Sequence, residues 1–164
     1  MIKNAIYNNI QFTIDPTKYV APYSQTKWLV FSSCFFLIPS FYGFIGNKLF
    51  FVIISLLTSI CSMNYWRDAT YSYRRCIDHI MAKISFTIYF INGVYYININ
   101  NYMPFIVTGY GAFFLHLYCY YMSHKCAHTN MWWKYHMMFH LLISYGMTIT
   151  IKSVIDYEKK KQMH

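Results

Sequence analysis

The sequence predicts an all-α protein, a polytopic integral membrane bundle of about five transmembrane helices. Hydrophobic residues make up 57% of the 164 residues and charged residues only 12%, about half the charged share of a soluble domain. Five acidic residues are too few to solvate a globular surface, and an aromatic share of 22% excludes a disordered chain. Uncharged runs long enough to cross a bilayer recur along the chain.

The chain begins with a polar arm, residues 1–26, which has no apolar core of the kind found in a cleavable signal peptide. We therefore expect insertion to begin with the first span itself. That span lies between Lys27 and Lys48, and Pro39 should kink it. A connection of three residues, 46–48, then predicts a tight antiparallel hairpin with the second span.

The later spans follow from the same length rule. Segment 67–76 is too polar to cross and suits a loop or a short interfacial helix. Segment 95–104, rich in asparagine, is expected to reverse the chain at the far face. The predicted spans are about 28–47, 49–66, 77–94, 103–122 and 135–151. They define a transmembrane domain over 27–153, followed by a charged tail at 154–164.

The net charge of +9 comes from bases that lie mostly between the apolar runs. This pattern favours contact of basic loops with anionic lipid headgroups over nucleic acid binding. Eight Lys and Arg residues fall on the side of the N-terminus and five on the other side. The bias predicts a cytoplasmic N-terminus and leaves the identity of the membrane open.

The polar residues of the spans converge on the predicted inner side. Ionisable groups within a membrane are costly, so such a cluster is a candidate functional site. Its members are Ser59, Ser62, Asp78, His79, His124, His128, His136 and His140.

His136 and His140 are the most suggestive pair, because an i, i+4 spacing places both imidazoles on one helix face. Two such nitrogens can hold a Zn²⁺ ion whose third ligand comes from elsewhere, with His79 the candidate. The alternative is a pair of interfacial histidines beside Trp132 and Trp133.

Asp78 and Ser62 are the candidate catalytic residues. Asp78 could orient a metal-bound water or act as a general acid or base. Alternatively, it pairs with a nearby base such as Lys83, or caps a helix. Ser62 could bind that water or a substrate oxygen, or simply bond back to its own backbone.

His116 lies in the middle of the fourth span. Paired with His136 or His140 at matched depth, it could hold a haem through two axial imidazoles. The alternative is a hydrogen-bonded structural histidine.

A serine late in one span, an aspartate early in the next and HxxxH on the last span resemble the CREST superfamily of membrane hydrolases. That group includes alkaline ceramidases, progestin/adiponectin-type receptors and Per1-like proteins. The resemblance implies that Ser62, Asp78, His136 and His140 surround a zinc ion that activates water to cleave a lipid amide or ester. The family has seven spans and a further histidine one turn after the serine, where this chain has Trp66.

Three functions follow from these observations. The first is a non-enzymatic multi-pass protein, a structural, assembly or complex subunit that contacts other membrane subunits. The alternative is a zinc-dependent, CREST-like lipid hydrolase. A second alternative is a bis-histidine haem protein.

Overall fold

A computed structural model describes residues 15–127 and 129–163 of the chain. Five helical rods and one short strand pair form its framework. The elements are β1 (Asp15–Tyr19), α1 (Tyr23–Ser33), a 3₁₀ turn (Cys34–Phe36), α2 (Leu37–Ile45), α3 (Leu49–Trp66), β2 (Thr70–Tyr71), α4 (Tyr73–Asn100), α5 (Met103–Lys125) and α6 (Trp132–Gln162). The chain is thus an all-α membrane bundle, as the sequence predicts.

Four of the rods are long and apolar enough to cross a membrane within the described residues: Tyr23–Ile45, Leu49–Trp66, Tyr73–Asn100 and Trp132–Gln162. The first combines α1, the 3₁₀ turn and α2. Helix α5 covers the predicted fourth span and has 23 residues, which is a sufficient length. Its tyrosines, histidines and threonine interrupt its apolar run, so it is not among these four.

The first rod tightens from α-helix into the 3₁₀ turn Cys34–Phe36, which lies just before Pro39. Proline has no N–H to bond the carbonyl four residues earlier, and its ring crowds that carbonyl. That carbonyl belongs to Phe35, in the 3₁₀ turn. The Ser144 hydroxyl of α6 donates to it at 2.5 Å. A side chain from another helix therefore satisfies the backbone group that Pro39 leaves free.

Two tight reversals join neighbouring rods at the same end of the bundle. Asn47 and Asn101 both adopt the left-handed conformation, with φ of 54° and 47°, which asparagine tolerates better than most residues. The first reversal is the predicted hairpin at 46–48. The second differs from the predicted loop at 95–104, because α4 stays helical through Asn100.

The predicted arm and the predicted tail both contain regular structure. β1 pairs antiparallel with β2, so the described part of the arm is attached to the loop between α3 and α4. Residues 1–14 lie outside the described residues. Helix α6 continues through most of segment 154–164, where Glu158 pairs with Lys48 of the first hairpin.

Helix α6 lies at the centre of the bundle, since it packs against α1, α2, α4 and α5. A core cluster built on Phe36, Phe51, Tyr89, Met147 and Ile151 joins α6 to the first three rods. The last helix in the sequence is therefore the one around which the others assemble.

Candidate functional site

One face of α3 carries four buried hydroxyl side chains at helical spacing, those of Ser55, Thr58, Ser59 and Ser62. Each of them meets a neighbouring helix. Ser55 Oγ lies 2.6 Å from the Tyr89 hydroxyl, Thr58 donates to Ser85 Oγ at 3.0 Å, Ser59 donates to the Ser33 carbonyl at 2.9 Å, and Ser62 accepts from Ser33 Oγ at 2.9 Å. This hydroxyl face bonds α3 to α1 on one side and to α4 on the other.

The two predicted catalytic residues lie side by side. Asp78 is half-buried in the second turn of α4, and its carboxyl interacts with the Ser62 hydroxyl. The Ser33 hydroxyl, which contacts Ser62, also lies 2.7 Å from the Leu29 carbonyl. The Ser33 hydroxyl therefore has two acceptors for its one proton, and it connects the Ser62–Asp78 pair to the backbone of α1.

His140 is buried and bonded to the first helix. Its Nδ1 lies 2.9 Å from Ser32 Oγ, and the same hydroxyl lies 3.1 Å from the Leu29 carbonyl. Ser32 Oγ and His140 Nδ1 share one hydrogen bond, in which either atom can be the donor.

His136 lies one turn before His140, and the centroids of their rings are 4.9 Å apart. The i, i+4 prediction for this pair therefore corresponds to a real contact. The Trp66 indole packs edge-on against His136, with 5.0 Å between the ring centroids. Trp66 is 5% exposed, and its Nε1–H has no hydrogen-bond partner among the described residues.

His79 does not join the pair in a ligand geometry. It is exposed, and its Nδ1–H donates to the Arg75 carbonyl of its own helix at 2.7 Å. His124, at the end of α5, packs against Tyr120, 4.5 Å between ring centroids. His128 lies outside the described residues.

Catalytic zinc sites use three protein ligands and an open position. Among residues 15–127 and 129–163, no three His, Cys, Asp or Glu side chains form a group able to hold a metal ion. Two imidazoles lie together, and the indole of Trp66 lies beside them. The described side chains thus bring together two of the three ligands that a catalytic zinc needs, and the zinc ligands His136, His140 and His79 stay a prediction.

The ring of Phe139 contacts all three histidines that the haem prediction involves. His116 is buried on α5, and its ring contacts Phe139 with 5.9 Å between centroids. Phe139 also contacts His136 at 5.4 Å and His140 at 6.0 Å. An aromatic ring therefore packs between α5 and the α6 imidazoles at this depth, where a bis-histidine haem would have to lie.

Sequence reasoning missed Ser32 and Ser33, the two residues that link the imidazole pair to the serine–aspartate pair. Serines in membrane helices commonly bond back to their own backbone, and both of these do so as well. The one available signal is that they are adjacent, because neighbouring residues on a helix face different neighbours. Ser32 faces α6 and Ser33 faces α3.

The fold and this site define a helical multi-pass membrane protein with a buried Ser/Asp/His cluster at one end. Comparisons of the chain with family models, with curated proteins and with solved structures give no match.

Proposed function

We propose that the chain is a non-enzymatic multi-pass membrane protein that works as a subunit or assembly component of a larger membrane complex. The main support is that buried polar side chains form hydrogen bonds between helices. The bonded pairs include Ser32 with His140, Ser33 with Ser62, and Thr58 with Ser85. Interhelical hydrogen bonds of this kind stabilise membrane bundles. The cluster is then part of the framework.

The surface that would contact other subunits lies at the same end, on the β1–β2 pair. Tyr71 packs between two cations, with Lys18 Nζ 5.5 Å and the Arg75 guanidinium 4.6 Å from its ring centroid. Arg74 pairs with Asp68 alongside them. In this platform of residues 15–19 and 68–75, β1 and Tyr73 are exposed, while Tyr71, Arg74 and Arg75 are half-buried. It is aromatic, and it carries three bases and two acids. Arginine and tyrosine are enriched in protein interfaces, and the same bases suit anionic headgroups.

A purification from native membranes in a mild detergent tests the proposal. The expected result is one stoichiometric partner, whose retention falls in Lys18→Glu with Arg75→Glu. Lys161→Glu, a charge reversal at the opposite end, is the matched control and should keep the partner. A monodisperse single chain from the native source, with no partner, would contradict the proposal.

We also propose that the platform faces the cytoplasm, as the base count predicts. Reporter fusions test this directly. A phosphatase that works only outside the cytoplasm should be silent after residue 20 and active after residue 163. The reverse pattern would place the N-terminus outside.

A zinc-dependent lipid hydrolase is the second candidate, because Ser62 lies beside Asp78 and the two imidazoles are in contact. Elemental analysis of the purified chain distinguishes it from a subunit. A hydrolase of this class requires about one zinc per chain, lost in His136→Ala with His140→Ala and kept in His116→Ala. A metal-free chain in zinc-replete cells would exclude it.

A further inference from the structure

The opposite end of the bundle carries a cleft that the Ser/Asp/His cluster does not involve. It encloses about 500 Å³. Its walls come from the α4–α5 reversal and from the last turns of α6. The lining residues are Asn100, Asn101, Tyr102, Phe105, Asp156, Lys159, Lys160 and Met163.

Two unpaired cations line this cleft. Within the described part of the chain, neither Lys159 nor Lys160 has a carboxylate within ion-pair distance, while Lys48 already pairs with Glu158. With Asp156, the lining carries one net positive charge. Lys160 Nζ lies 3.4 Å from the Asn100 carbonyl, which holds its ammonium against the cleft wall.

The first turn of α5 opens onto the same cleft. Tyr102 is its N-cap, no side chain caps this 23-residue helix, and the Phe105 and Ile106 N–H groups donate to the Tyr102 carbonyl. The positive end of the helix dipole therefore points toward the two lysines. An anion at this place would meet both the helix end and the ammonium groups.

A buried polar atom in the cleft wall also lacks a partner. Asn100 is 8% exposed, and its Nδ2 donates to the Ser153 carbonyl at 2.6 Å. Its Oδ1 has no donor among the described residues. Buried polar groups are almost always hydrogen-bonded. Asn100 Oδ1 is thus an unpaired acceptor within the cleft wall, and the Asp156 carboxylate is an acceptor on the cleft lining.

Three of the other lining side chains, Tyr102, Phe105 and Met163, are largely apolar. Phe105 begins the less polar length of α5, and the Lys152 ammonium lies 5.1 Å from its ring centroid. Tyr102 and Met163 are largely exposed beside it. Aromatic rings next to lysines are typical of the headgroup level of a bilayer.

We propose that this cleft binds one anionic glycerophospholipid whose headgroup carries hydroxyls, as in phosphatidylglycerol. Lys159, Lys160 and the α5 N-terminus hold the phosphate. Asp156 accepts a hydrogen bond from a headgroup hydroxyl beside Asn100. The acyl chains leave along Phe105 into the bilayer.

Native mass spectrometry of the chain from nanodiscs of dioleoylphosphatidylcholine with dioleoylphosphatidylglycerol tests the site. We expect one retained phosphatidylglycerol per chain. Retention should fall about tenfold or more in Lys159→Gln with Lys160→Gln, since each lysine near a membrane surface contributes measurably to anionic lipid binding. Lys161→Gln, a neighbouring charge that does not line the cleft, should retain the lipid.

Equal loss in Lys161→Gln would overturn the proposal in favour of general attraction to a basic helix end. Unchanged retention in the double variant would also overturn it. Glycerol 3-phosphate added in solution should not displace the lipid, because it lacks the acyl chains. Displacement at stoichiometric concentration would show that a free phosphate ester is the ligand instead. Unchanged far-UV circular dichroism confirms that each variant is folded.

Discussion

The Ser32 hydroxyl lies 2.9 Å from Nδ1 of His140 and joins the first helix to the last across 108 positions of the chain. Both residues are buried, so the bond is shielded from water. It orients the imidazole, and it ties α1 to the central helix. The same two residues belong to the Ser/Asp/His cluster at this end of the bundle.

Ser32→Ala is expected to lower the free energy of unfolding by about 1 kcal/mol, because it leaves His140 Nδ1 buried without a partner. Titration of the detergent-solubilised protein with SDS, followed by circular dichroism, measures the change. Ser24→Ala, at an exposed position of the same helix, is the control and should be neutral. A neutral Ser32→Ala would mean that the bond does not stabilise the bundle.

Gly93→Ala is expected to destabilise the contact between α4 and α6. A methyl group at this position would lie 2.9 Å from the Thr150 Oγ1 atom, closer than van der Waals contact allows. Overpacking of this kind costs about 1–3 kcal/mol. Gly111→Ala makes the same chemical change on α5, where nothing lies within 4 Å. The SDS midpoint should fall for Gly93→Ala alone, and equal midpoints would refute the close approach.

Trp66→His is expected to create a metal site. The Trp66 ring centroid lies 5.0 Å from that of His136, which itself lies 4.9 Å from His140. An imidazole in place of the indole would be the third nitrogen that zinc requires. Elemental analysis should find about one zinc per chain in this variant. Trp28→His, at the exposed ring stacked on Trp133, should not gain metal.

The outcome also separates the two proposed functions. Zinc gained only with Trp66→His, and lost again when His136→Ala is added, supports a cluster that is structural in the natural chain. Equal zinc in the natural chain would favour the hydrolase. No zinc in any variant would show that the three positions do not face a common point.

Tyr71→Leu is expected to release the N-terminal arm. The ring contacts Lys18 and Arg75 as a cation–π acceptor, and leucine offers no comparable attraction. Limited trypsin digestion should then cut after Lys18 several times faster. Tyr73→Leu replaces a ring that is 70% exposed, and it should leave the rate unchanged. Identical rates in both variants would mean that the strand pairing alone holds the arm.

The sequence predicts the helical class well, because apolar length is a direct requirement of the bilayer. Helix α3 has the bounds of the predicted second span, Leu49–Trp66. The ends of α4 and α6 differ because hydropathy detects only the apolar part of a helix. Asn98 is compatible with the helix since its amide donates to the Val94 carbonyl at 2.8 Å.

Contacts of the candidate site that lie within one helix could be predicted from the sequence. Contacts between different helices were harder to predict. The His136–His140 contact follows from helical spacing alone. The pairing of Ser62 with Asp78 requires two helices to meet at one depth, and the topology predicts that. The use of Ser32 and Ser33 depends on the rotation of α1 about its axis, and their adjacency does not tell which neighbouring helix each serine faces.

The central position of α6 has a consequence for biosynthesis. The ribosome makes this helix after α1 to α5, yet α1, α2, α4 and α5 all pack against it. During translation the earlier helices therefore enter the membrane before their common support exists. We expect a chain that stops before residue 132 to insert yet fail to assemble, and to be a substrate for the quality-control proteases of its membrane.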